Sequence, residues 1–276
     1  VSVFGLDAFS PAEIAQRLEQ VGVTKARMPF FKTALLGILA GAFIGLGSLY
    51  FTIVSSDASL SFAVSKVLGG VVFSLGLLLV VVAGAELFTG NNLLAMAWAS
   101  KLITTKDVLR NWLIVSIANF IGAAGLAIIV YLSGHSMMNN GLIAEKIISI
   151  AVTKCTLPAS ELFWRGVLCN ILVCLAVWMA MAGRTVTDKF FAIVLPISAF
   201  VAAGFEHSIA NMYFIPLAML LQNDVATVIP GSDQITIMNM LRNFMWVIPG
   251  NLLGGSVLVA LVYHVIYGKS SNSVSE

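Results

Sequence analysis

Six nearly unbroken apolar stretches organise the chain, at about residues 31–54, 62–97, 109–132, 161–181, 190–221 and 240–267. A hydrocarbon core takes about 20 residues of helix to cross, so each stretch is long enough and the pattern predicts an all-α membrane protein with six transmembrane helices. The two longest, the second and fifth, exceed what one crossing needs. Residues 1–30 are polar and show no cleavable-signal pattern. Within them SPAEIAQRLEQVG offers Ser10 as a cap and Pro11 as first helical residue. Ile14, Leu18 and Val21 share one face, which predicts a short amphipathic helix over residues 8–22, lying at the interface or packed on the bundle. The expected division is an N-terminal segment (1–30), a six-helix domain (31–268) and a short tail (269–276).

Composition sharpens this reading. The chain is 59% hydrophobic and 10% charged, with mean hydropathy +0.98, far from the roughly 25% charged residues of soluble domains. A net charge of +2, with no basic run, excludes a nucleic-acid partner from the expectations. If the N-terminus is cytoplasmic, Arg17, Lys25, Arg27, Lys32, Lys101, Lys106, Arg110, Arg184, Lys189 and Lys269 fall inside, against Lys66, Lys146, Lys154, Arg165 and Arg242 outside. The positive-inside bias therefore predicts both termini in the cytoplasm. Cys155, Cys169 and Cys174 have neither CxxC nor Cys/His metal spacing and read as packing residues. No metal or cofactor is expected.

The chain also repeats itself. LRNWLIVSIANFIG from Leu109 matches LRNFMWVIPGNLLG from Leu241, and AGAELFTGN from Ala83 matches AGFEHSIAN from Ala203, in register. The first and fourth segments share little beyond Phe31/Phe163 and Leu36/Leu168. Three crossings per copy is an odd number, so the second copy enters from the opposite face and the halves form an inverted 3+3 repeat.

Segments two and five carry polar interruptions partway along. Irregular backbone at membrane depth is tolerated only against protein or a wet cavity, so the pattern predicts two broken helices meeting near the midplane. Their new N-termini would aim N–H groups and positive dipole ends at one point, which suits a small anion. In the first break Gly90 supplies backbone freedom, with Thr89, Asn91 or Asn92 as caps; in the second, Ser208 and Asn211 serve. Glu86 and Glu206 hold equivalent positions, which points to a structural role: accepting backbone N–H bonds at the breaks or pairing with a buried donor. His207 has Leu87 as its counterpart, so symmetry does not require it. An intramembrane ionisable group beside a helix break is a functional candidate.

AGFEHSIANM (203–212), AGAELFTGN (83–91), NILVCLAVWMA (170–180) and GNLLGG (250–255) resemble the signatures of the formate/nitrite transporter family, and the resemblance runs from about residue 26 to 268. It implies an aquaporin-like protomer with helices 2 and 5 interrupted, a homopentamer with one pore per protomer, and a bacterial or archaeal inner membrane. No NPA motif occurs. By the same resemblance His207 stands at the pore centre between two apolar constrictions, Phe73 with Phe200 and Leu77 with Phe88. Thr89 hydrogen-bonds near the histidine, Lys154 and Lys25 belong to the outer and inner vestibules, and Asn170 lies close to the pore. The implied permeants are formate, nitrite or hydrosulfide, formate first: VTKCTLPASELFWRG is similar to the nitrite branch, MAGRTVTDKFFAIVLPISAF to the formate branch.

The mechanism expected is that vestibule charge draws in a small anion, which crosses the apolar rings as its neutral acid, hydrogen-bonded to His207. Residues 8–22 could plug the inner mouth. Passive channel and proton-coupled transporter both fit. A membrane enzyme or sensor built on Glu206–His207 is the alternative from another class, but no Walker loop, HExxH, GxSxG or Rossmann fingerprint supports it.

Overall fold

The computed structural model describes residues 8–225 and 227–268; the predicted tail and Lys269 lie outside them. Its helices are α1 (Pro11–Ala26), α2 (Phe30–Ser55), α3 (Phe62–Gly84), α4 (Leu94–Ala99), α5 (Thr105–Leu132), α6 (Leu142–Thr156), α7 (Ala159–Ala182), α8 (Val186–Ala202), α9 (Ser208–Leu221) and α10 (Ile237–Tyr267). Five are long and apolar enough to cross a membrane: α2, α3, α5, α7 and α10. The fifth apolar stretch is absent from that set because its interruption divides it into α8, of 17 residues, and α9, of 14.

Both predicted breaks are present. α3 ends at Gly84, whose φ of +87° admits glycine far more readily than a side chain; residue 85 is extended, and a 3₁₀ turn at Gly90–Leu93 leads into α4. α8 ends at Ala202, Gly204 takes φ +71°, and the chain runs through Phe205 and Glu206 into α9. The left-handed glycines of the two breaks are thus Gly84 and Gly204. Gly90, expected to supply that freedom, is not among the positive-φ residues.

Helix α1 begins as the sequence suggests. Ser10 accepts from the Glu13 N–H while Glu13 accepts from the Ser10 N–H, a reciprocal cap with Pro11 in the first turn. It runs past residue 22 to Ala26, because Pro29 is the next residue that cannot continue a helix. Ile14, Ala15 and Leu18 bury against α4 and α7. Residues 133–160, between the third and fourth apolar stretches, contain α6, with Ile143, Ala144, Ile147, Ile148, Ala151 and Cys155 turned inward.

Packing obeys the repeat. α2 packs on α5, and α7 packs on α10. A Cβ at Gly122 would lie 1.9 Å from the Ile38 carbonyl oxygen; one at Gly254 would lie 2.2 Å from that of Val167. Both crossings therefore require bare backbone, as tight membrane helix pairs do. α3 packs on α8 near the centre, joining the two halves.

Candidate functional site

The two breaks are held by one hydrogen-bond pattern used twice. Asn119 donates to the carbonyls of Gly37 (2.7 Å) and Glu86 (2.9 Å) and accepts from the Phe88 N–H (2.9 Å). Asn251 donates to Gly166 (2.8 Å) and Glu206 (3.0 Å) and accepts from the Ser208 N–H (3.0 Å). The Glu86 N–H donates to Leu36, and the Glu206 N–H to Arg165, each at 3.2 Å. A broken helix strands backbone groups that hydrocarbon cannot solvate, and these bonds satisfy them. They also set the register of the first and fourth segments: Leu36 corresponds to Arg165 and Gly37 to Gly166, three residues from the Leu36/Leu168 alignment suggested by sequence.

The glutamates are ion-paired. Glu86 meets Lys25 Nζ at 2.9 Å and accepts from Asn91 Nδ2 at 2.7 Å. Glu206 meets Lys154 Nζ at 3.1 and 3.2 Å through its two oxygens and accepts from Asn211 Nδ2 at 2.7 Å. Asn91 and Asn211 also donate to Asn111 and Asn243, which donate back to the carbonyls of Lys25 and Lys154. Lys25 lies in the last turn of α1 and Lys154 in the last turn of α6, so these amphipathic helices are equivalent elements and each repeat begins one helix earlier than three crossings suggest. The signal was available: TKARMP from Thr24 and TKCTLP from Thr153 share Thr, Lys and Pro in register. Neither lysine is a free vestibule charge.

Two cavities approach the breaks from opposite sides. One, of about 370 Å³, is lined by Lys25, Glu86, Leu87 and Leu77. The other, of about 260 Å³, is lined by Lys154, Glu206, His207, Phe73 and Phe200. Phe73 and Phe200 meet edge to face with centroids 5.7 Å apart, and Phe200 stacks on the His207 ring at 5.8 Å. Phe88 is buried and lines neither cavity. An apolar partition thus separates the cavities, with Leu77 on one side and the phenylalanine pair on the other.

His207 caps α9, where the sequence reading had assigned that role to Ser208 and Asn211. The Ala210 N–H donates to Nδ1 at 3.1 Å, and Nε2 lies 3.0 Å from Thr89 Oγ1. A backbone N–H can only donate, so Nδ1 accepts and the ring proton of the neutral imidazole sits on Nε2, donating to Thr89. The Thr89 hydroxyl proton is then free to donate elsewhere. A second ring proton would occupy the Nδ1 lone pair and break the cap. Thr89 itself has no side-chain capping bond in the first break. Asn170 braces it from behind, donating its two N–H groups to Asn92 Oδ1 and the Asn251 carbonyl, each at 2.7 Å, with the Thr89 carbonyl 3.3 Å from the same nitrogen. Among the described residues, no three His, Cys, Asp or Glu side chains gather into a metal-binding set.

The family model described as Formate/nitrite transporter matches residues 12–265. The chain belongs to that family. It is 40% identical over 271 residues, 95% of either chain, to the "Formate channel FocA" of Escherichia coli K12. A solved structure described as a "Pentameric formate channel with formate bound" superposes with TM-score 0.80 at 36% identity, covering 87% of this chain and 98% of that one. The aquaglyceroporin of Plasmodium falciparum superposes at TM-score 0.50 and 16% identity, covering 87% and 96% of the respective chains, which makes the protomer fold aquaporin-like. The protein is a multi-pass membrane channel or transporter of this family.

Proposed function

We propose that this chain conducts small monovalent anions, formate foremost, through a pore that runs from one cavity to the other past His207 and Thr89, in a homopentamer with one pore per protomer. The observation that carries the reading is the Thr89–His207 pair beside the Phe73–Phe200 partition. The names of the formate-channel relatives support the choice of permeant and, for the solved neighbour, the pentamer. The excess of Lys and Arg on one side supports cytoplasmic termini in a bacterial or archaeal inner membrane.

The chemistry follows from the partition. A bare carboxylate between Phe73, Phe200, Leu77 and Phe88 would lose its hydration without gaining a counter-charge, since Lys25 and Lys154 are occupied by Glu86 and Glu206. The neutral acid avoids that penalty. Thr89, its oxygen already accepting from His207 Nε2, directs its hydroxyl proton to an oxygen of the permeant. The cap on Nδ1 keeps the imidazole neutral in the resting pore. Glu86, Glu206, Asn91 and Asn211 hold the breaks, Asn170 holds Thr89, and no covalent chemistry is required.

Stopped-flow flux into liposomes carrying the purified protein tests this with formate, nitrite, hydrosulfide and acetate. Formate flux without chemical conversion, strongly changed by His207→Phe, is the expected result. Conversion without flux would make the protein an enzyme, and unchanged rates in His207→Phe would remove the histidine from the mechanism.

A further inference from the structure

The cavity that ends on His207 carries more positive charge than its own carboxylate neutralises. Lys66, Lys146, Lys154 and Arg165 line it, against Glu206. Glu206 holds Lys154, and Arg165 pairs with Glu161 at 2.7 Å. Lys66 and Lys146 have no ion-pair partner among the described residues; the Lys66 ammonium stands 5.7 Å from the Phe62 ring centroid. The two lysines come from different elements, the second turn of α3 and the second turn of α6.

They also mark a junction. A wider cavity of about 610 Å³, bounded by residues of the α2–α3 connection, shares Lys66, Lys146 and Ser149 with the cavity above His207. Its two carboxylates are engaged elsewhere: Asp57 accepts from the Ser59 N–H and hydroxyl, and Glu145 from the Thr227 hydroxyl. Burial first, and the Lys66 charge second, hold the Lys146 ammonium below the usual lysine pKa. Neither carboxylate forms an ion pair with Lys66 or Lys146 among the described residues, so the two like charges repel and an anion between them reduces that cost. On the α1 side Lys25 is bound by Glu86, which leaves Lys32 and, in an adjoining cavity of about 470 Å³, Arg17, whose guanidinium lies over the Phe9 ring.

We propose that Lys66 and Lys146 form an anion-docking site at the mouth opposite α1, where a small monovalent anion is held before it descends to Phe73, Phe200 and His207. This rests on the channel reading above. The site raises the local anion concentration at this mouth, so that entry there is salt-dependent and saturates at lower concentration than entry from the α1 side.

The test uses Lys146→Cys in the full-length protein in liposomes, at formate concentrations below half-saturation. The expected entry rate falls about three- to ten-fold, at or below the ten-fold lower end of whole-cleft steering because one charge of several is removed, with little change at saturation. Impermeant methanethiosulfonates added outside reach only channels whose docking mouth faces outward. The trimethylammonium reagent restores entry and the sulfonate reagent lowers it further, a dependence on sign that a packing role would not produce. Cys155, Cys169 and Cys174 are buried, and burial pushes the Cys155 thiol up to about 11, so the native thiols compete poorly; reagent-treated wild type is the control. Lys66→Ala reproduces the loss independently. Equal effects of both reagents, or wild-type rates in both variants at low salt, overturn the site. A readout without flux separates its failure from that of the channel reading: the sulfonate reagent labels Lys146→Cys faster than the cationic one, formate slows that labelling, and Lys66→Ala removes the preference. Labelling that ignores both reagent charge and formate overturns the site even where wild type conducts; the predicted labelling in a protein without flux overturns the channel instead.

Discussion

Replacing Asn251 by leucine, which keeps the branched shape of the side chain but cannot hydrogen-bond, tests whether the breaks are held as described. Three bonds disappear: those to the carbonyls of Gly166 and Glu206 and that from the Ser208 N–H. The Glu206 carbonyl and the Ser208 N–H belong to the buried break, where no intrahelical partner replaces the asparagine, whereas the Gly166 carbonyl lies inside α7 and keeps its place in that helix's ladder. A stranded buried group costs about 1–3 kcal/mol, so the two would cost about 2–6 kcal/mol. Relaxation and water entering from the neighbouring cavity keep this below the upper end, and about 4 kcal/mol is expected. For a protein of this size each kcal/mol moves the unfolding midpoint by about 2–4 °C, which gives a drop of about 8–16 °C. Intrinsic tryptophan fluorescence on heating in detergent measures it. Asn119→Leu removes the equivalent three bonds and should fall by a similar amount. A drop under about 3 °C in either variant would refute the view that these asparagines satisfy the broken backbone.

Lys154→Met leaves Glu206 charged and unpaired in a site where its side chain is 4% exposed, and should destabilise by about 3–5 kcal/mol; adding Glu206→Gln should recover more than half, read by the same melts. Gly254→Ala places a methyl 2.2 Å from the Val167 carbonyl oxygen, whereas Gly125→Ala meets nothing within 4 Å, so only the former should lose the monodisperse peak in size-exclusion chromatography. The Ser10 N–H first, then the Ser10 hydroxyl and the nearby Arg184 and Arg17, hold the Glu13 carboxyl below its ordinary value. A lowered folded-state pKa stabilises fully above the unfolded value and is lost as pH falls through the folded one. Protease sensitivity of α1 should therefore rise between about pH 5 and pH 3, and Glu13→Gln should flatten that rise.

Much of the molecule was legible because hydrocarbon is an unforgiving solvent. Apolar runs of sufficient length have one fate in it, and their polar interruptions must lie against protein or a cavity, so the spans, the breaks near residues 85 and 205 and the structural role of Glu86 and Glu206 follow from the residues themselves. The AGAE/AGFE and LRN matches likewise reveal an inverted repeat, because an odd number of crossings leaves no other arrangement. Helix α6 was readable too, from the spacing of Ile143, Ile147, Ile148 and Ala151, but a mixed polar surface concealed it.

Tertiary structure decided the partners. Lys25 reaches Glu86 across 61 positions and Lys154 reaches Glu206 across 52. Asn119 and Asn251 serve backbone groups in segments 31 to 85 residues away. Nothing local distinguishes such an asparagine from one facing solvent. His207 displaced Ser208 and Asn211 as the cap, and Gly84 and Gly204 took the left-handed turns, for the same reason. Propensity says which side chains can satisfy an N–H or a carbonyl, but only the packed chain fixes which of them lies within 3 Å of it.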